Sequence, residues 1–196
     1  MLQLTSIPPY PISRELDTVI LRDLLVSLKE AASNTSWSTN SSPPLLPGYS
    51  CVPGGLCSPP SPSFSPLTVI LPYRDRHHHA SILLPYLHTF LQLQGATYRL
   101  LLVEQGPEAP FNRAKLLNIG VSEALLLEPA PFCLVVHDID LVPLDPATPY
   151  SCSSRPLHLS AHLDEFRFVL PYRGLVGGVL AVTAQQFLEV DGFSNE

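Results

Sequence analysis

The sequence predicts an α/β fold with a Rossmann-like, doubly wound, mostly parallel sheet. Two observations carry this. From residue 67 onward, short β-branched runs alternate with longer segments whose apolar residues recur at helical spacing, the pattern of strand–helix–strand units. The third run, Phe132 to Val136, ends in His137-Asp138-Ile139-Asp140. It sets two carboxylates at the carboxyl end of a buried strand, where open α/β sheets take their ligands.

Residues 1–66 read as an N-terminal arm. An amphipathic surface helix is predicted over Arg14 to Ala32, where the apolar segment Leu16 to Leu28 is interrupted by Asp17, Arg22 and Asp23. Ser33 to Pro66 is rich in Ser, Thr, Pro and Gly, with Trp37 the only large anchor before Tyr49. Such a composition buries little surface and predicts loop. The second unit spans 67–196. Leu67 to Leu71 is the first strand. His79 to Leu93 carries Ile82, Leu83, Tyr86, Leu87, Phe90 and Leu91 at helical spacing, with Pro85 predicting a kink or a late start. Tyr98 to Val103 is the second strand. Ala114 to Leu126 is the second helix, with Leu116, Leu117, Val121 and Leu125 expected on its inner face. After the Phe132 strand come a short strand near Leu157–Ser160, a Gly177-Gly178 turn, a strand over Val179–Thr183 and a helix start at Ala184–Phe187.

Composition bounds the function. In 196 residues with 45% hydrophobic content there is material for one real core. A net charge of −6, with only 11 Lys and Arg, argues against general nucleic-acid binding, which needs a basic face. No run of 18 apolar residues is present, and the N-terminus lacks the basic start and apolar core of a signal peptide. Four cysteines, Cys51, Cys57, Cys133 and Cys152, include no Cys-x-x-Cys pair. With the glycosylation sequons at Asn34 and Asn40 they lean toward a secretory-pathway lumen.

Asp138 and Asp140, at i and i+2 of an extended segment, point to one side and repel unless a cation or donor network lies between them. Hard divalent ions such as Mg²⁺ and Mn²⁺ take such oxygens and share them with phosphates. A strand ending in a solvated acidic turn would look the same over these few residues, so the neighbouring strand ends matter. After the first strand come Pro72-Tyr73-Arg74-Asp75-Arg76. Their guanidinium forks suit phosphate, and Tyr73 could stack on a base. After the second come Phe111-Asn112-Arg113, with Asn112 a fair N-cap for a helix whose N-terminus favours anions. In a parallel sheet all three ends share one rim, which together describes a nucleotide-diphosphate pocket. The run His77-His78-His79 reads as a solvated helix start, because adjacent side chains diverge.

Leu71-Pro-Tyr-Arg-Asp-Arg76, Phe111-Asn-Arg-Ala-Lys-Leu-Leu-Asn118, His137-Asp-Ile-Asp-Leu141, Leu170-Pro-Tyr172, Gly177-Gly178 and Asp191-Gly-Phe-Ser-Asn195 occur in that order. Residues 67–196 thereby resemble the beta-1,4-galactosyltransferase family, Golgi enzymes of the GT-A fold. The resemblance implies a UDP-sugar donor, Mn²⁺ as cofactor, and transfer of galactose with inversion to a glycan acceptor ending in N-acetylglucosamine or a similar sugar. By position it implies donor contacts from Pro72, Tyr73, Arg74, Arg76, Phe111, Arg113, Asp138 and Ile139, a metal ligand in Asp140, and specificity contacts from Tyr172 and Leu175. It also implies a disulfide between Cys133 and Cys152. Cys57 sits where a family cysteine precedes the first strand, but that cysteine's family partner lies far upstream, so a Cys51–Cys57 bridge stays open.

The sequence also departs from the family. The pattern runs on into a Trp-Gly-Trp-Gly-Gly-Glu-Asp-Asp block that supplies the catalytic base, acceptor contacts and a tryptophan near the donor, with a metal-site histidine further on. The sequence ends at Glu196, so no catalytic residue is assigned within it and the GT-A domain is expected to be incomplete at its C-terminus. The family's membrane anchor is expected only in a longer form. Leu175 stands where many vertebrate members have tyrosine, which leaves room for an N-acetyl group and so for UDP-N-acetylgalactosamine. The alternative to an enzyme is a catalytically dead donor-binding module, or a fragment lacking the acceptor site.

Overall fold

The computed structural model describes residues 19–27, 29, 45–61, 66–128 and 132–194. The expected helix falls partly within these. Residues 19–27 and 29 are helical and Leu21 is buried in the core; the rest of Arg14–Ala32, Trp37 and both sequons lie outside the described residues.

Among the described residues seven strands form one sheet: β1 (Ser50–Cys51), β2 (Cys57–Ser58), β3 (Leu67–Tyr73), β4 (Tyr98–Glu104), β5 (Cys133–His137), β6 (Leu157–His158) and β7 (Val179–Thr183), in the order β1-β2-β4-β3-β5-β7-β6. β3 runs parallel to both β4 and β5, with Tyr73 opposite Glu104 and Ile70 opposite Val136. The outer pairs are antiparallel. The sheet is therefore mixed, with the parallel part confined to the three-stranded centre. β7 returns beside β5 after a long excursion that contains no crossover helix, so it meets β5 antiparallel.

Helices α1 (His77–Leu93), α2 (Arg113–Leu127) and α3 (Ala184–Glu189) pack against the sheet. Alternation along the strands decides which face each covers. Leu67, Val69, Leu71 and Tyr73 of β3, with Cys133 and Val135 of β5, join Leu83, Tyr86, Leu87, Phe90 and Leu91 of α1 in one core. Ile70, Leu134, Val136 and Val182 join Leu117, Val121 and Ala124 of α2 and Phe187 of α3 in a second. Helices on both faces make the centre doubly wound, as the sequence predicts. A Thr183–Gln186 capping box starts α3.

Three details depart from expectation. α1 begins at His77 and runs through Pro85, so there is no late start. A helix-interior proline costs ~3 kcal/mol, and the many buried side chains of α1 on either side of it offset that. Leu125 is not on the inner face of α2: it is 37% exposed, while Gly120 and Ala124 are buried. At roughly 100° per residue it sits about 80° round from Leu117. The Pro/Ser/Gly-rich segment is not all loop, because β1 and β2 extend the sheet beyond β4 and the sheet begins before residue 67. A Cys51–Cys57 disulfide closes this hairpin, Tyr49 packs against Tyr98 at 6.5 Å, and Arg99 donates to the Gly54 carbonyl. Arg99 also pairs with buried Glu128 at 2.7 Å.

Candidate functional site

The parallel centre brings the carboxyl ends of β3, β4 and β5 to one rim, and side chains tie these ends together. Arg74, after β3, donates to the Ala109 carbonyl in the loop after β4 at 2.6 Å, and its guanidinium lies 5.3 Å from the Phe111 ring centre. Gln105 closes the same loop: its amide donates to the Pro110 carbonyl at 2.8 Å and its carbonyl accepts from the Asn112 N–H at 2.8 Å. Asn112 caps α2, accepting from the Lys115 N–H at 2.8 Å. One residue on, Arg113 donates to Asp138 at 2.6 Å, joining the α2 N-terminus to the end of β5.

The turn after β5 carries both carboxylates. Asp138 is partly buried and Asp140 exposed, with Ile139 tucked inside at 8% exposure. Burial pushes the Asp138 carboxyl above its ordinary value and Asp140 adds to the rise, while Arg113 holds it down. The turn is anchored from below. The Asp138 N–H donates to the Gly178 carbonyl at 3.0 Å. His137, fully buried, places Nδ1 2.8 Å from the Asp138 carbonyl and Nε2 2.8 Å from the Tyr150 hydroxyl. A carbonyl only accepts, so Nδ1 carries the proton and the Tyr150 hydroxyl donates to Nε2. Burial lowers the His137 pKa to about 4, which keeps the ring neutral. The Cys133–Cys152 disulfide brackets the turn. Gly178 has φ +77° and no room for a side chain: a Cβ would lie 2.6 Å from Ser160 Oγ and 2.7 Å from Leu141.

Not every expected residue offers itself in the way the sequence suggests. Tyr73 is 2% exposed and its hydroxyl meets His77 Nδ1 at 2.6 Å. Its ring is core, so stacking on a base is corrected; Phe111, 44% exposed, is the aromatic that the rim presents. Pro72 is likewise buried in β3. Arg76 is exposed at the start of α1, beside His77 and His78. Tyr172 is 61% exposed and Leu175 half-buried in the turn closed by the Leu175 N–H on the Tyr172 carbonyl, 3.2 Å. Sequence reasoning missed Gln105, His137, Tyr150 and Asn118. Asn118 holds both backbone groups of Phe193, at 2.8 and 3.0 Å, and so pins the turn after α3 to α2. His137 and Asn118 lie inside motifs quoted above, but no local pattern shows what their side chains hold, and none marks Gln105 or Tyr150.

With this geometry the comparisons are informative. The family profile for the N-terminal region of glycosyl transferase group 7 matches residues 45–153, and that for the N-terminal domain of galactosyltransferase matches 157–196. The chain belongs to the beta-1,4-galactosyltransferase family. Human beta-1,4-galactosyltransferase 2 is 43% identical over 145 residues, 73% of this chain and 39% of that protein. Human beta-1,4-galactosyltransferase 3 is 42% identical over 155 residues, 79% of this chain and 38% of that protein. The chain thus spans about two fifths of the length of these relatives. A crystal structure of a Drosophila beta-1,4-galactosyltransferase 7 mutant, in complex with manganese, UDP-Gal and xylobiose, superposes with a TM-score of 0.59 at 30% identity, covering 67% of this chain and 54% of that one. The catalytic domain of the same enzyme with xylobiose gives 0.60. The GT-A fold of this beta-1,4-galactosyltransferase family member follows from that likeness.

The donor set can be tested against a hard divalent ion. Asp140 is an exposed carboxylate, the right class of ligand for Mn²⁺. Among the described residues no group of three His, Cys, Asp or Glu gathers around it. One exposed carboxylate fits such an ion in kind, because hard divalent ions commonly take few protein ligands and complete their shell with water and phosphate oxygens.

Proposed function

We propose that residues 67–196, with the edge strands β1 and β2, form the donor-binding part of a Golgi galactosyltransferase that moves galactose from UDP-galactose to a glycan acceptor with inversion. The observation that carries this is the Arg113–Asp138 pair beside exposed Asp140, on a rim that also presents Arg74, Phe111 and Arg76. In this reading Arg76 and Arg113 face the diphosphate, Phe111 lines the uridine with the end of β3 at Pro72 and Tyr73 behind it, and Asp138 and Ile139 lie beside the donor sugar. Asp140 would hold Mn²⁺, which would supply neutralisation of charge on the leaving diphosphate. The residues themselves bind and orient: Arg74 and Gln105 fix the loop that carries Phe111, and Arg113 opposes the rise that burial gives the Asp138 carboxyl. Tyr172 and Leu175 bear on specificity. The leucine leaves space for a 2-N-acetyl group, so UDP-N-acetylgalactosamine serves as a second donor. The acceptor is a glycan ending in N-acetylglucosamine or xylose.

Calorimetry with UDP, with and without Mn²⁺, tests the donor site. Mn²⁺-dependent binding that Asp140→Asn abolishes is expected; binding indifferent to both metal and Asp140 sinks the reading. Competition with UDP-N-acetylgalactosamine tests Leu175: failure to displace UDP-galactose rules out the second donor. Binding without transfer in a protein containing the whole family pattern would mark a donor-binding module instead of an enzyme.

A further inference from the structure

We propose that Tyr150 is a positioning residue for the Asp138–Asp140 turn, acting through His137. This rests on the reading of Asp140 as the metal ligand. The turn is irregular backbone, and Asp140 itself is exposed. Its direction is set by where the Asp138 backbone is held. One side of that backbone, the N–H, is fixed by the Gly178 carbonyl. The other is fixed by the chain Tyr150 Oη–H to His137 Nε2, then His137 Nδ1–H to the Asp138 carbonyl, both links 2.8 Å. Further along, Tyr86 donates to the Pro143 carbonyl at 2.6 Å, holding the far end of the same loop.

The hydroxyl is the telling atom. Tyr150 is 5% exposed, with its ring edge-on to Phe90 at 5.1 Å. Filling that space needs only a phenylalanine. Burying a hydroxyl is costly unless it is bonded, and the bond this one makes leads to the carboxylate turn and nowhere else among the described residues. Outer partners that orient a metal ligand typically change metal affinity by 10–100-fold when removed.

The test uses the full chain and follows UDP affinity across a Mn²⁺ titration. Tyr150→Phe is expected to raise the Mn²⁺ needed for half-maximal UDP binding about tenfold, with UDP affinity in the absence of metal unchanged. Tyr98→Phe, which removes another buried hydroxyl bonded to His88 and Gln92, serves as control: a lower Tm with wild-type Mn²⁺ dependence. Tyr86→Phe is expected to move the Mn²⁺ requirement in the same direction as Tyr150→Phe. Wild-type Mn²⁺ dependence in Tyr150→Phe overturns the inference alone, as does an equal loss with and without metal, or loss of the fold. A wild-type chain whose UDP binding ignores Mn²⁺ overturns the donor-site reading and this inference with it.

Discussion

At Asp138, desolvation and the neighbouring Asp140 favour the protonated carboxyl, and the Arg113 guanidinium at 2.6 Å opposes both. The balance makes Asp138 a sensitive reporter. Replacing Arg113 with glutamine removes the one opposing charge, so the Asp138 pKa is expected to rise, which carboxyl chemical shifts followed against pH would show. UDP affinity should fall about 10-fold or more in the same variant, the scale of one charge-assisted contact. An unmoved Asp138 titration would mean that the pair is not formed in solution. Arg113 and Asp138 were both legible as candidates, because charged residues at strand ends stand out against apolar runs. Their pairing was not: 25 positions separate them, and only the parallel register of β3, β4 and β5 brings the start of α2 to the end of β5.

Among the elements, α2 shows how closely packing and sequence are linked. Gly120 faces the sheet, and a Cβ there would lie 2.4 Å from Ile70 Cγ2 and 3.0 Å from Val103 Cγ2. The glycine lets the helix sit down on β3 and β4 and so sets how far Arg113 reaches over the rim. Gly120→Ala gains ~1 kcal/mol of helix propensity but overpacks the contact by about 1–3 kcal/mol, for an expected net loss of up to about 2 kcal/mol in urea unfolding. A stabilised variant would show that the helix can lift without strain. The periodicity of α2 was readable in the sequence to within a residue at each end. The role of Gly120 was not, since a glycine within a helical pattern carries no mark of what lies opposite.

For the whole molecule, the imidazoles of buried His137 and half-buried His88 make stability sensitive to acid. Burial lowers His88 and His137 each to about 4. In the unfolded chain both protonate near pH 6.5, so unfolding takes up protons between these values. The stability is complete above about pH 6.5 and drains away as pH falls toward 4, at up to ~1.4 kcal/mol per pH unit for each ring. Urea midpoints measured between pH 7 and 4 should fall steadily, and His88→Gln should flatten the slope by about half. A flat profile would place both rings in contact with solvent.

The sequence by itself determined the element types from residue 67 onward, the doubly wound centre, the family and the rim on which the charged residues gather. Each of these is written in local periodicity or in short motifs, and both survive whatever the rest of the chain does. Tertiary structure decided the remainder. It turned β7 antiparallel to β5, recruited β1 and β2 from a segment that reads as loop, and buried Tyr73 while exposing Phe111. It also ran Tyr150 through His137 to the backbone of Asp138. These are long-range outcomes. Which side of a strand is covered, and which backbone carbonyl a buried hydroxyl meets, depend on what packs across the sheet, and no window of sequence contains both partners.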